Sequence, residues 1–160
     1  MVRVSARVQE LKRICWLIVA GLLTACSPPP QFTDSQHQPV ALADFAGKPL
    51  LVNYFAPWCA PCLREIPLLE ALAREGQTAV VMVNYDPATP AELAKLAGQY
   101  HIKVPLLIVR QEASLPFPHP AGLPTSYLLD GEGKLQQTLV GELNPSRVEA
   151  LRASIKPVGH

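Results

Sequence analysis

Two cysteines set the frame for this chain. They lie in Trp58-Cys59-Ala60-Pro61-Cys62, directly after an apolar run and directly before an amphipathic one. The run Leu50-Leu51-Val52-Asn53-Tyr54-Phe55-Ala56 has strand length, is too short for a helix, and follows the turn signal Gly47-Lys48-Pro49. Its near-continuous apolarity predicts a strand covered on both faces. From Ala60 to Glu75, Ile66, Leu69, Leu72 and Ala73 share one stripe, with Arg64, Glu70 and Arg74 off it. That pattern predicts a helix, kinked at Pro67 and ended by Gly76. Strand and helix then meet at Cys59.

This placement has chemical consequences. The unpaired N–H groups and positive dipole at a helix start favour thiolate over thiol. Thiolate is the attacking species, and such cysteines titrate between about 3.5 and 7.5 instead of near 8.5. Two intervening residues put Cys62 on the first turn, where it can reach back to resolve a mixed disulfide. Pro61 lacks an N–H that a helix start leaves unused. The competing readings are a zinc half-site and an inert bridge. A structural zinc site wants four ligands, whereas His37, His101, His119 and His160 are scattered without ligand spacing. The strand-to-helix context favours redox chemistry by Cys59 and Cys62, with no cofactor and no metal.

Further along, Thr78–Tyr85 reads as a second buried strand. Thr89-Pro90-Ala91-Glu92 is a capping box with proline at the first helical position, followed by Leu93, Leu96, Ala97 and Tyr100 at helical spacing. Val104–Val109 reads as a third strand and Pro116–Pro120 as a loop. Thr125–Leu129 and Lys134–Val140 form two strands around the turn Asp130-Gly131-Glu132-Gly133. Asn144-Pro145 opens a last helix bearing Val148, Leu151 and Ile155. The sum is an α/β fold, a mixed sheet with helices on both faces. Tyr54, Tyr85 and Tyr100 read as core or sheet-edge aromatics, Asn53 as a strand residue with a satisfied side chain, and His119 as an exposed loop histidine.

The first residues are set apart from this body. Arg3, Arg7, Lys12 and Arg13 precede ten apolar residues from Ile14 to Leu23. Ten is too few to span a bilayer, which needs about twenty, and the combination reads as a secretory signal peptide. Leu23-Thr24-Ala25-Cys26 then resembles the lipobox of bacterial lipoproteins. That resemblance implies a signal peptide over 1–25, lipid on Cys26, and extracytoplasmic display on a membrane, facing the periplasm if the cell has one. Ser27-Pro28-Pro29-Pro30-Gln31 makes 26–31 a short extended tether of about 3 Å per residue, leaving 32–160 as the folded domain. With Cys15 in the leader and Cys26 lipidated, Cys59 and Cys62 are the cysteines left for chemistry. From Cys26 on, twelve acidic residues face ten basic ones, a net of −2. Without a basic run, and with 6% aromatics, nucleic acid is not an expected partner.

Phe55-Ala56-Pro57-Trp58-Cys59-Ala60-Pro61-Cys62 resembles the active-site segment of the thioredoxin superfamily, and Cys62-Leu63-Arg64-Glu65-Ile66-Pro67 resembles its exported, membrane-tethered TlpA/ResA branch. Gly122-Leu123-Pro124-Thr125 resembles the superfamily's cis-proline loop, and the segment from about Thr78 to Tyr100 the extra strand and helix of that branch. The resemblance implies a monomeric thiol–disulfide oxidoreductase, expected to reduce disulfides of exported cysteine proteins and to be recharged by a membrane thiol-electron donor. Trp58, Leu123 and Pro124 would contact the substrate, the Leu123 backbone pairing with an extended strand if the Leu123–Pro124 bond is cis. Where thioredoxin carries a buried aspartate this chain has Asn53, so Glu65, one turn beyond Cys62, is the carboxylate available to take its proton. The plainer reading of Glu65 is a solvated helix residue. Two alternatives share the cysteines: a disulfide oxidase of the same fold, and a thioredoxin-like copper-delivery protein. The copper proteins space their cysteines by three residues, and this chain has two.

Overall fold

Period-2 alternation in the central strands sorts the apolar side chains into two sheets of core. In the computed structural model, which describes residues 29–155, β3 (Leu50–Phe55) sends Leu51 to one side and Val52 and Tyr54 to the other. β4 (Ala79–Asn84) divides Val80 and Met82 from Val81 and Val83 in the same way. All six residues of β3 are buried, as its continuous apolarity predicts. The expected signal peptide, Cys26 with its expected lipid, and the start of the expected tether lie outside the described residues.

The elements run β1 (Phe32–Asp34), β2 (Pro39–Val40), a 3-10 turn (Leu42–Phe45), β3, α1 (Ala60–Arg74), β4, α2 (Pro90–Gln99), β5 (Leu106–Val109), β6 (Thr125–Leu129), β7 (Leu135–Val140) and α3 (Pro145–Ser154). They form one seven-stranded sheet in the order β2-β1-β5-β4-β3-β6-β7. β3, β4 and β5 are parallel neighbours, and the strands flanking them are antiparallel. This is the thioredoxin-like mixed sheet the sequence implies, with Thr78–Tyr100 supplying β4 and α2. β5 begins two residues later than expected because Pro105 has no N–H; its carbonyl instead accepts from Met82 N–H at 2.8 Å.

The distribution of the helices departs from the expectation. Buried residues of all three, Ile66 and Leu69 of α1, Leu93 of α2, and Val148 and Leu151 of α3, belong to a single core layer. Among the described residues, the opposite layer is closed by Phe117, with Leu42, Phe45 and Leu115 packed against it, and not by an α-helix. The cause is topological. The crossovers β3-α1-β4 and β4-α2-β5 advance in the same direction across the sheet, and right-handed crossovers in one direction lay both helices on one face.

Local signals in the sequence act where expected. Thr89 Oγ1 accepts from the Glu92 N–H at 3.3 Å while Glu92 Oε2 accepts from the Thr89 N–H at 2.7 Å, completing the capping box of α2. α1 runs through Pro67 as one fifteen-residue helix. Past its end Gly76 takes φ +75°, a left-handed conformation that suits glycine.

Candidate active site

The site begins where β3 stops. Cys59 is the N-cap of α1, extended at φ −90° and ψ 93°, and its sulfur accepts the Cys62 N–H at 3.3 Å. Pro61 occupies the first turn. Cys59 and Cys62 are joined by a disulfide with Cα atoms 5.3 Å apart. Cys62 is fully buried, whereas Cys59 keeps 5% of its surface. Of the two cysteines, the one at the helix start is the one that keeps any surface in water.

The second wall comes from β6. Antiparallel pairing sets Thr125 opposite Tyr54, which brings the residues before Thr125 to the same end of the sheet as the β3–α1 junction. The Leu123–Pro124 peptide there is cis. Thr125 Oγ1 donates to the Gly122 carbonyl at 2.8 Å, and the Pro124 carbonyl accepts from the Gly141 N–H at 2.9 Å. Among the described residues, the Leu123 N–H and C=O take part in no hydrogen bond. They are free to pair with another chain.

Trp58 stands on the other flank, 64% exposed, a large apolar surface left in water beside the cysteines. Its indole N–H donates to Asp86 Oδ2 at 2.7 Å, and its ring meets Tyr85 edge-on at 6.2 Å. Tyr85 in turn lies 4.8 Å from the His119 ring. His119 is exposed, as expected of a loop histidine, but its ring extends this aromatic strip. Sequence reasoning did not connect Trp58 with Asp86, which lies 28 residues away; no local pattern encodes that bond.

Beneath the disulfide lies a buried polar cluster. Glu65, one helical turn after Cys62, is fully buried, which decides against the solvated reading. Asn53 Nδ2 donates to Glu65 Oε2 at 3.1 Å and to Ser126 Oγ at 2.9 Å, and the Leu143 N–H donates to Glu65 Oε1. Burial pushes the Glu65 carboxyl above the ordinary carboxylate range, and Glu142 adds to this. The Leu143 N–H, the Asn53 amide and the charge of Arg147 pull the other way. Asn53 is only half satisfied: its Oδ1 is buried and has no partner among the described residues. The sequence reading named Asn53 and Glu65 but not Ser126 or Leu143, which join them only through register and a loop.

A mixed sheet with a Cys-X-X-Cys disulfide at a strand-to-helix junction, faced by a cis-proline loop, defines a thiol–disulfide oxidoreductase. Comparison with known proteins agrees. The redoxin family model matches residues 24–154. The thiol-disulfide oxidoreductase ResA of Geobacillus kaustophilus is 30% identical over 129 residues, 78% of this chain and 73% of that protein. The thioredoxin-like protein YneN of Bacillus subtilis is 34% identical over 113 residues, 68% of this chain and 66% of that protein. Among solved structures, an exposed lipoprotein thioredoxin of Streptococcus pneumoniae superposes with a TM-score of 0.64 at 23% identity, covering 80% of this chain and 100% of its own. A thiol-disulfide isomerase of Corynebacterium glutamicum superposes at 0.62 with 21% identity, covering 84% and 99%. The chain belongs to the redoxin family and is a thioredoxin-superfamily protein of the TlpA/ResA type.

Proposed function

We propose that this oxidoreductase works as a reductase outside the cytoplasm, held to a membrane by lipid on Cys26 and displayed on the 26–31 tether. The observation that carries the chemistry is the sequence along one helix of Cys59 at its N-cap with residual surface, a fully buried Cys62, and one turn further a fully buried Glu65. The Cys59 thiolate attacks a substrate disulfide, forming a Cys59–substrate bond and expelling one substrate thiolate. Cys62 then gives its proton to Glu65 and attacks the Cys59 sulfur. The Cys59–Cys62 bond forms and the second substrate thiolate leaves. The substrate gains two electrons, and the enzyme ends oxidised until a membrane thiol-electron donor reduces it.

Substrate is bound as an extended segment. The free Leu123 N–H and C=O, next to Pro124, serve as its strand partner, and Trp58 covers its apolar side chains. Exported proteins with cysteine disulfides are the substrate class.

The test is single-turnover reduction of a disulfide peptide by the dithiol form, comparing wild type with Glu65→Gln across pH. Removing the proton acceptor should slow resolution of the mixed disulfide about a hundredfold, the lower end of general-base effects. Formation of the mixed disulfide should be unaffected. Equal resolution rates would remove Glu65 from the mechanism.

A further inference from the structure

Arg147 is the third residue of α3, at the helix end where the dipole disfavours a cation, and the first turn offers no acidic residue. Its backbone is fixed by the cap: Asn144 Oδ1 accepts the Arg147 N–H at 2.9 Å. The side chain then turns back over the loop that joins β7 to α3. Arg147 Nη1 donates to the carbonyls of Gly141 at 3.0 Å and Glu142 at 2.9 Å, and Nη2 donates to that of Val140 at 3.1 Å. One guanidinium holds three consecutive carbonyls through two nitrogens fixed in one plane, a geometry that the single nitrogen of an ammonium does not reproduce.

The N–H groups of the same loop go to the site. The Gly141 N–H donates to the Pro124 carbonyl at 2.9 Å, and the Leu143 N–H donates to the Glu65 carboxylate. The Leu143 side chain is buried in the core, anchoring that end. We infer that Arg147 is a positioning residue for the reaction: by gripping the carbonyls of Val140, Gly141 and Glu142, it aims the Leu143 N–H at Glu65 and so sets how tightly Glu65 holds a proton. This rests on the reading of Glu65 as the acceptor for the Cys62 proton.

The charges around Glu65 agree with the assignment. Arg147 favours its ionised form and Glu142 opposes it. Arg64, on α1, is drawn to Glu142 at 2.9 Å. Asn53 of β3 and Ser126 of β6 are neutral, and Cys62 is the remaining titratable neighbour on α1 once the disulfide is reduced. Loss of Arg147 therefore removes a favourable charge and loosens a donor, and both raise the proton affinity of Glu65.

The test follows the Glu65 side-chain carboxyl by carbon-13 NMR through a pH titration of the full-length protein, assigned by its disappearance in Glu65→Gln. Arg147→Met should raise the midpoint by about one pH unit, the size of one lost charge-assisted hydrogen bond. Arg147→Lys keeps the cation but loses the two-nitrogen fork, and should fall between the two. A merely structural arginine would lower the melting temperature and leave the midpoint in place, which would overturn the inference. If Arg147→Met fails to fold, an unchanged midpoint in Arg147→Lys overturns it alone. The carboxyl is read directly, so this result is separate from the acceptor role. Unchanged resolution kinetics in Glu65→Gln would defeat that role while leaving the grip of Arg147 on Glu65 intact.

Discussion

Asn53 Nδ2 lies 3.1 Å from Glu65 Oε2, and neither residue has any surface in water. The same amide nitrogen donates to Ser126 Oγ, while Asn53 Oδ1 has no partner among the described residues. With its nitrogen toward Glu65, the amide serves an ionised carboxylate. Turned over, the amide would offer Oδ1 to a protonated Glu65, and the Ser126 hydroxyl donates as readily as it accepts. A side chain in this cradle can change charge without losing every partner, which is what a transient proton acceptor requires.

Stability should carry the mark of that buried carboxyl. Burial gives Glu65 a higher proton affinity in the folded chain than in the unfolded one, where it titrates near about 4.3. The folded state therefore holds the extra proton between the two pKa values. The contribution of Glu65 to stability is greatest below the unfolded pKa and is lost as pH rises through the folded one. Denaturant unfolding of wild type and Glu65→Gln should show the glutamine variant gaining on wild type across that interval and levelling off above it. A stability difference independent of pH would contradict this.

Cys59→Ser and Cys62→Ser should behave unequally. With the buried sulfur removed, Cys59 can still attack but nothing resolves the product, so Cys62→Ser should accumulate a stable mixed disulfide with a disulfide peptide. Cys59→Ser should leave only fully buried Cys62 and trap little. Non-reducing mass spectrometry reads both, and the reverse pattern would exchange the two roles.

Much of this architecture was legible because it is local. The strand entering Cys59, the capping box at Thr89, the turn at Asp130 and the proline at 124 each announce themselves within a few residues. The short β1–β2 pair was not legible: two or three residues carry no periodicity. Nor was the placement of α1 and α2 on one face, which follows from the strand order and not from either helix's own sequence. At the site, Trp58, Cys59, Cys62 and Pro124 stood out by motif. Asp86, Ser126 and Leu143 did not, because a loop aspartate, a strand serine and a backbone N–H become partners only after the sheet register and the β7–α3 loop have formed.

Trp58 should report on the disulfide. It is the sole tryptophan after Trp16, and it adjoins Cys59. Its emission should differ between verified dithiol and disulfide forms of protein lacking the leader. Asp86→Ala, which frees the indole N–H, should alter the spectra of both forms while costing less than about 1 kcal/mol, since the bond is exposed. Identical dithiol and disulfide spectra would contradict the proximity of the ring to the reacting sulfurs.

The capping box of α2 should matter to stability and not to thiol chemistry. Thr89→Ala removes the acceptor for the Glu92 N–H and should cost about 1 kcal/mol in denaturant unfolding. Single-turnover rates of mixed-disulfide formation should remain those of wild type. A rate loss exceeding the stability loss would mean that α2 contributes to the site.

The direction of electron flow is tested most directly by the equilibrium of the Cys59–Cys62 pair with glutathione, read by thiol alkylation and mass. A reductase should give a potential of about −200 mV or lower, so that its dithiol hands electrons to partner disulfides. A value near about −120 mV, in the range of a strong oxidant, would contradict the reductive role and turn the same site to making disulfides.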